Sequence, residues 1–175
     1  MALQLIEFVP ERPEHEAVDR LIAAAAEALA AGGAELIEAQ VPRDLRRVFL
    51  IAEEREEGQA GEALRAGGIV FEDVARVRLV GADLAEVKAS AGTARYLVEW
   101  DLPEGLSMDS YLARKREKSP RYAEVPETRF LRTYVREDMG KCLCLYDAPD
   151  VAAVERARKA VEAPIDRLHE LREHA

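Results

Sequence analysis

The chain contains one segment that occurs twice, and this internal repeat constrains the fold more than any other feature. Residues 34–53 align with residues 128–147 at an offset of 94 positions (128 minus 34), which places Arg47 on Lys141. In each copy two short apolar runs flank a polar turn, a pattern typical of a β-hairpin. Because long-range self-similarity is the signature of a repeated structural unit, the sequence predicts a duplicated domain.

The alignment extends to both sides of the hairpin. The opening apolar runs match at an offset of 92, with Glu7 on Glu99, and Asp73 matches Asp166 at an offset of 93. Each half then reads as strand, helix, two strands, helix and strand, which is the ferredoxin-like βαββαβ order. We therefore predict an α+β fold of two ferredoxin-like repeats, packed sheet to sheet as an intramolecular pseudo-dimer that resembles a dimeric α+β barrel.

The predicted domain boundaries follow from composition. Residues 1–80 form the first repeat, residues 93–175 form the second, and the small and polar residues 81–92 form a linker between them. In the second repeat, Ser107 and Asp150 precede helical patterns and are predicted to be N-caps. Either repeat alone would bury little core, so we expect the two to pack together.

Charge and hydropathy exclude several partners. The formal net charge of −9 repels phosphate, which argues against nucleic acid and anionic membranes. No apolar run approaches the roughly 20 residues that cross a bilayer, and Glu7 interrupts the N-terminal apolar run before a signal-peptide core could form. We expect a cytoplasmic protein, a monomeric pseudo-dimer or a homo-oligomer of it, whose partner is a small molecule or a metal ion.

The period of two along the strands predicts a polar set on the sheet faces that the helices leave uncovered. On the second hairpin, the aliphatic Leu143 and Leu145 are assigned to the helix side. The remaining set is too polar for an ordinary core and is predicted to bind a ligand between the repeats. Its members are Glu7, Glu38, Gln40, Glu99, Arg132, Tyr134, Cys144 and Tyr146.

The acids of this set allow two interpretations. A buried carboxylate is costly unless it is paired or bound to a cation, so Glu7 and Glu99 are predicted either to share a ligand or to form structural ion pairs. In the second case Glu99 pairs with Arg132, and Glu7 pairs with Arg46, Arg47 or water. Both cysteines are expected to be free thiols that pack as small core residues.

Two further functions remain open at this point. The first is a cofactor-independent enzyme of isomerase, cyclase or monooxygenase type, with Glu99 as general base and Arg132 or Tyr134 steadying an anion. This function requires a pKa of Glu99 well above the ordinary value. The second is a structural or regulatory module that binds no ligand.

Four short motifs carry a family resemblance. They are Tyr96-Leu97-Val98-Glu99, Pro103-Glu104-Gly105-Leu106, Cys144-Leu145-Tyr146-Asp147-Ala148-Pro149 and Pro164-Ile165-Asp166-Arg167. Over residues 95–171 the chain resembles a family of small ferredoxin-like domains that are often labelled nickel-binding proteins. The first half resembles a diverged member of the same family, which implies a tandem version of a domain that otherwise dimerises.

The resemblance implies a divalent metal ion, nickel by the family label, as the cofactor. Members of the family commonly carry a histidine where this chain has Arg132, and Glu38 occupies that place in the first repeat. Arginine cannot ligate a metal, so this chain departs from the family pattern there. The alternative metal ligands are Glu7, Glu38 and Glu99, whose oxygen atoms suit a harder ion than nickel.

Overall fold

A computed structural model describes residues 1–90 and 93–173, which form two compact units. The first unit contains residues 1–77 and 84–90, and the second contains residues 78–83 and 93–173. Within the described residues, no helix combines the length and apolar character needed to cross a bilayer.

The first unit is a four-stranded antiparallel sheet with two helices on one side. Its strands lie in the order β2-β3-β1-β4, and the last three residues of β4 count with the second unit. Ile6, Phe8 and Leu50 on the helix side form its core with Val18 and Leu29 of the first helix. The elements are β1 (Ala2–Phe8), α1 (His15–Ala31), β2 (Glu35–Gln40), β3 (Val48–Glu54), α2 (Gln59–Ala66), β4 (Asp73–Val80) and α3 (Leu84–Ser90).

The second unit repeats this arrangement, with its strands in the order β6-β7-β5-β8. The helix side of its sheet is richer in aromatic and sulfur-containing side chains, including Trp100, Tyr111 and Tyr146. The elements are β5 (Tyr96–Asp101), α4 (Met108–Lys118), a 3-10 helix (Ser119–Glu124), β6 (Arg129–Arg136), β7 (Lys141–Asp147), α5 (Val151–Ala160) and β8 (Arg167–Glu170).

The predicted fold class, an α+β fold of two ferredoxin-like repeats of the dimeric α+β barrel type, is confirmed. The predicted N-caps are also present, since Ser107 Oγ accepts a hydrogen bond from the Ser110 amide at 3.1 Å and Asp150 Oδ1 accepts one from the Ala153 amide at 2.8 Å. Local side-chain chemistry therefore fixes where α4 and α5 begin.

Part of the predicted linker is helical. Helix α3 buries Val87, and its Lys88 Nζ lies 3.2 Å from a carboxylate oxygen of Glu35. Residues 91 and 92 of this linker, like residues 174 and 175 of the second predicted repeat, lie outside the described residues. The connector was predicted to hold at most a turn of helix after Asp83, and α3 does begin at the next residue, Leu84.

Both hairpins contain a β-bulge at the same point of the repeat. The strand register shifts at Ile37 in the first hairpin and at Leu131 in the second, positions that are 94 residues apart (131 minus 37). A bulge inserts one unpaired residue and so reverses the inward and outward alternation beyond it. As a result Phe130 lies opposite Tyr146 on the helix side, whereas Arg132 faces the other side.

Helices α1 and α2 pack closely because glycine ends each of them. A Cβ atom on Gly32 would overlap the Ala63 side chain of α2, and a Cβ atom on Gly67 would lie 2.7 Å from Ala28 Cβ of α1. Gly32 has a φ of −89°, which any residue adopts, so only space requires glycine there.

Gly32→Ala is therefore expected to lower the free energy of unfolding by about 2 kcal/mol, because overpacking forces the helices apart. Gly61→Ala is the matched control. Its new Cβ would have neighbours no closer than 3.5 Å, and alanine favours a helix interior by about 1 kcal/mol over glycine. Urea denaturation of the two variants should shift the midpoint in opposite directions, and equal midpoints would contradict the packing argument.

Candidate functional site

In the first unit, the predicted site residues share the sheet side that faces away from α1 and α2. Glu7 and Gln40 flank Phe49 from the two neighbouring strands, and Gln40 Nε2 donates a hydrogen bond of 2.8 Å to Glu38 Oε1. All three polar residues are buried. Arg47 Nη2 lies 3.1 Å from Glu7 Oε1, which confirms the predicted ion pair.

In the second unit, Glu99 is the centre of an ion-pair cluster. One carboxylate oxygen accepts from Lys141 Nζ at 2.6 Å, and the other lies 2.9 Å from Arg167 Nε and 2.8 Å from His169 Nε2. Arg167 also holds Asp101 through two hydrogen bonds. The predicted pairing of Glu99 with Arg132 is therefore wrong, since three other side chains satisfy this carboxylate.

The charge state of Glu99 follows from these partners. Burial raises its pKa, but the hydrogen bonds from His169, Lys141 and Arg167 and the charge of Lys141 together bring the pKa well below the ordinary value. A general base needs the opposite shift at neutral pH. The pKa of Glu99 is therefore shifted in the direction opposite to the one that the enzyme hypothesis required, and the anionic form of Glu99 is favoured.

The two acids occupy equivalent places in the repeat, and so do their partners. Arg47 aligns with Lys141, and each contacts the acid of its own unit, Glu7 or Glu99. Among the residues that the structure describes, no three histidine, cysteine, aspartate or glutamate side chains are placed to hold a metal ion. Metal ligation by Glu7, Glu38 and Glu99 thus remains a prediction, whereas a counter-ion role is visible for Glu7 and Glu99.

The remaining predicted site residues divide between the two sides of the second sheet. Arg132 and Tyr134 are buried on the same side of the sheet as Glu99. Their cross-strand partners, Leu145 and Leu143, lie on that side too. The prediction that Leu143 and Leu145 lie on the helix side is therefore wrong. The helices of this unit carry bulky aromatic and ionisable side chains, which do not pack on a plain aliphatic face.

It is Cys144 and Tyr146 that lie under the helices, on the opposite side of the sheet from Glu99. They are therefore separated by the sheet from the polar set to which the sequence had assigned them. Both are almost fully buried, and Cys144 is a free thiol, as predicted.

A small cavity lies beneath these helices, wholly within the second unit. Its volume is about 30 Å³, enough for roughly two water-sized molecules. Four of the lining side chains are cationic, and none of the described residues that line it is an aspartate or glutamate. The lining side chains include Trp100, Arg114, Lys115, Lys118, Tyr122, Cys144 and Arg158.

Arg158 is the unusual residue of this cavity. Only 2% of its surface is exposed, yet its partners are the neutral Tyr146 hydroxyl, at 3.2 Å from Nη1, and the Pro164 carbonyl oxygen, to which Nη2 donates. Its Nε is buried without a hydrogen-bond partner, and its guanidinium carbon lies 6.0 Å from the centre of the Trp100 ring. A desolvated cation with an unused donor favours an anionic partner.

The cavity surroundings add positive charge. Lys115 Nζ lies 4.3 Å from the centre of the Phe130 ring and adds a positive charge, whereas Lys118 is neutralised by Glu162, whose carboxylate oxygen lies 2.7 Å from Lys118 Nζ. Burial lowers the pKa of Arg158, but the neighbouring Cys144 and Tyr146 raise it above the ordinary value, so the guanidinium stays charged. The cavity therefore presents a net positive field to a small molecule that enters.

The two cysteines differ in their environment. Thr133 Oγ1 donates a hydrogen bond of 3.2 Å to Cys144 Sγ. The hydrogen bond from Cys142, the charges of Arg158 and Lys115 and the Thr133 hydrogen bond lower the pKa of Cys144, although burial opposes them. The shared hydrogen bond and burial raise the pKa of Cys142. These environments favour a negative charge on Cys144 and a neutral thiol on Cys142.

Sequence reasoning missed Arg158 and Lys115. Arg158 lies four residues after Val154 and three before Val161, so it falls on the apolar face of α5, and that spacing was the available signal. Lys115 belongs to a charged run, residues 114–118, a pattern that is typical of a solvated helix end. Lys115 and Lys118 are in fact half-buried against the cavity.

Comparison with known families finds one match, and it lies in the second unit. Residues 96–171 match the family model described as "Nickel responsive protein SCO4226-like". The matched range contains every residue that lines the cavity. No curated protein matches the chain significantly.

Solved structures show the fold across nearly the whole chain. A putative chlorite dismutase, TA0507, is 17% identical with a TM-score of 0.58, and the alignment covers 98% of this chain and 94% of that one. A putative monooxygenase from Lactobacillus acidophilus is 9% identical with a TM-score of 0.54, covering 98% and 92%. One from Fusobacterium nucleatum is 10% identical with a TM-score of 0.53, covering 98% and 91%. At these identities the likeness concerns the fold alone.

Proposed function

We propose that this protein binds a small anion, a carboxylate or another oxyanion of a few heavy atoms, in the cavity of its second unit. The observation that carries the proposal is the buried Arg158, whose Nε has no partner and whose hydrogen bonds go only to neutral oxygens. An anion in the cavity that Arg158 lines would compensate this buried positive charge.

The chemistry of the cavity wall supports an anion over a cation. Lys115 and Arg158 would repel a metal ion, while Trp100 and Tyr122 exclude water and so strengthen any charge-assisted hydrogen bond. The small volume of the cavity favours a ligand, or a part of a ligand, of a few heavy atoms, such as formate, bicarbonate, phosphate or a single carboxylate group.

Nickel binding is the second candidate, because the second unit matches a nickel-responsive family model. The contact that favours it is the pair of Glu99 and His169, whose side-chain atoms lie 2.8 Å apart. Carboxylate and imidazole are both ligands for nickel. Lys141 and Arg167 occupy the other positions around Glu99, however, and would have to move before a cation could bind there.

Fluorescence titration tests the anion site, because Trp100 is the single tryptophan of the chain and lines the cavity. Formate, acetate, bicarbonate and phosphate are added in turn to the wild-type protein, and at least one is expected to give a saturable change in emission. Arg158→Met is expected to weaken that binding by about tenfold or more, since a hydrogen bond to a charged group contributes about 1.5–3 kcal/mol.

The matched control is Arg156→Met on the same helix, where the guanidinium is exposed and lies 2.8 Å from Glu127. It should bind the anion as the wild type does. Arg158→Lys keeps the charge and should show intermediate affinity for the anion. It replaces Arg158→Met in the test if circular dichroism shows that Arg158→Met does not fold. A wild-type protein that responds to none of the four anions would overturn the proposal, and stoichiometric nickel in tag-free protein would then favour the second candidate.

A further inference from the structure

Cys144 combines three features that no other described thiol shares. Its side chain lines the cavity, it accepts a hydrogen bond from Thr133 Oγ1 at 3.2 Å, and the cationic Arg158 and Lys115 line the same cavity. The unpartnered Nε of Arg158 is an independent sign that this space is built to hold a negative group. A thiolate is one such group, and it is nucleophilic.

We propose that Cys144 is a site of oxidation by hydrogen peroxide and that Arg158 stabilises the resulting sulfenate. This inference goes beyond anion binding, because it assigns a covalent step to a residue with no role in that binding. It uses the same cavity but requires no bound anion.

The step balances without a cofactor. The sulfur of Cys144 attacks one oxygen of hydrogen peroxide, the S–O bond forms and the O–O bond breaks. The other oxygen leaves as hydroxide and takes up the proton that the thiol has lost, which gives water. Sulfur loses two electrons and peroxide gains them, and the product is Cys–SOH or its anion.

The cavity size selects the oxidant. A volume of about 30 Å³ admits molecules little larger than water, and hydrogen peroxide is of that size. The sulfenate anion that forms would then share the cavity with the charged Arg158 guanidinium, whose positive charge stabilises it.

Cys142 is not expected to resolve the sulfenate as a disulfide. It lies two residues away on the same strand, where Cα atoms are roughly 6.6 Å apart, at the long limit for a disulfide. Cys142 also does not line the cavity, and the hydrogen bond with Cys144 and burial raise its pKa. The oxidised form should therefore persist as a sulfenate until an external reductant reaches it.

The experiment treats folded protein with a few equivalents of hydrogen peroxide in the absence of added anions, followed by catalase. The protein is then denatured in dimedone and digested, and the peptide containing residues 141–147 is analysed by fragmentation mass spectrometry. The dimedone adduct is expected on Cys144 and not on Cys142. The Cys142→Ser variant should react as the wild type does, which separates the two thiols.

The rate of Cys144 oxidation tests the role of the cations Lys115 and Arg158. Lys115→Met and Arg158→Met are expected to slow oxidation by about tenfold, because the thiolate loses its counter-charge. Arg156→Met, the exposed control on α5, should leave the rate unchanged. Equal labelling of Cys142 and Cys144, no adduct at all, or an unchanged rate in both Lys115→Met and Arg158→Met would overturn the proposal.

A failure of the sulfenate proposal can be distinguished from a failure of the anion-binding proposal. Anion affinity is measured on Cys144→Ser, which cannot form a sulfenate but keeps Arg158 in place. Binding without oxidation would sink only the sulfenate proposal, and oxidation without binding would sink only the anion site.

Discussion

Replacing Glu99 by glutamine is expected to lower the free energy of unfolding by about 3 kcal/mol, the scale found when one partner of a buried ion pair is removed. Glu99 is 1% exposed and accepts from Lys141, Arg167 and His169. Glutamine keeps the shape but loses the charge, so the half-buried Lys141 loses its ion pair with residue 99. Its amide also presents a donor toward groups that are themselves donors.

The effect should depend on pH in a defined direction. Burial raises the pKa of Glu99, but the hydrogen bonds of His169, Lys141 and Arg167 lower it below the ordinary value of 4.5 on balance. A group with a depressed folded pKa stabilises the protein fully above its unfolded pKa and loses that contribution as the pH falls. The difference between wild type and Glu99→Gln should thus be constant above about pH 5 and shrink below it.

Urea denaturation between pH 3 and pH 8 measures this difference. Asp101→Asn is the control, because Asp101 shares Arg167 but is largely exposed, and exposed pairs contribute about 1 kcal/mol or less. If Glu99→Gln were no less stable than Asp101→Asn, or if its deficit grew in acid, the ion-pair interpretation of Glu99 would be wrong.

The fold could be predicted because it depends on patterns that local sequence carries. The offset of 94 residues aligns not only strands but also the two bulges at Ile37 and Leu131. Caps such as Ser107 are visible in the sequence, since a side-chain acceptor before a helical pattern has few other roles. Helix α3 was expected only as a turn of helix after Asp83, because its apolar face is short and lies in a small, polar stretch.

The side of a strand that a residue occupies was harder to predict. The assignment of Leu143 and Leu145 to the helix side assumed that helices cover the most aliphatic face. In this unit the helices contribute Tyr111, Tyr122 and Arg158, so the matching sheet face carries aromatic and thiol groups. The composition of one strand does not show which of its faces the helices cover, because that depends on the side chains of the helices that pack on it.

The candidate site was missed for the same reason. Acids in strands such as Glu7 and Glu99 attract attention because burial of a lone carboxylate is costly, yet each has its counter-ion within its own unit. Arg158 is positively charged, unlike these acids, and lies on a helix, where a single arginine is normally exposed to solvent. Only its full burial and the missing partner of its Nε distinguish this cation, which none of the ion pairs among the described residues joins to a carboxylate.

Glu54 offers the second large effect, because its buried carboxylate replaces the N-cap of α2. Gly58, the residue before this helix, has no side chain to cap it and a φ of 83°. Glu54, at the end of β3, accepts instead from the Ala60 amide at 2.8 Å, the Gly58 amide at 3.3 Å and Gln4 Nε2 at 2.6 Å. One carboxylate therefore satisfies three donors and places negative charge at the helix N-terminus.

Glu54→Gln is expected to lower the free energy of unfolding by about 2–3 kcal/mol, because the amide nitrogen faces one of these donors and leaves it buried and unsatisfied. Hydrogen exchange should also accelerate selectively at the first amides of α2, and urea denaturation measures the global loss. Glu57→Gln, an exposed acid in the same loop, is the matched control and should change stability by less than about 0.5 kcal/mol. Equal stability of the two variants would mean that α2 is held by its packing on α1 alone, and that the strand carboxylate contributes nothing to its start.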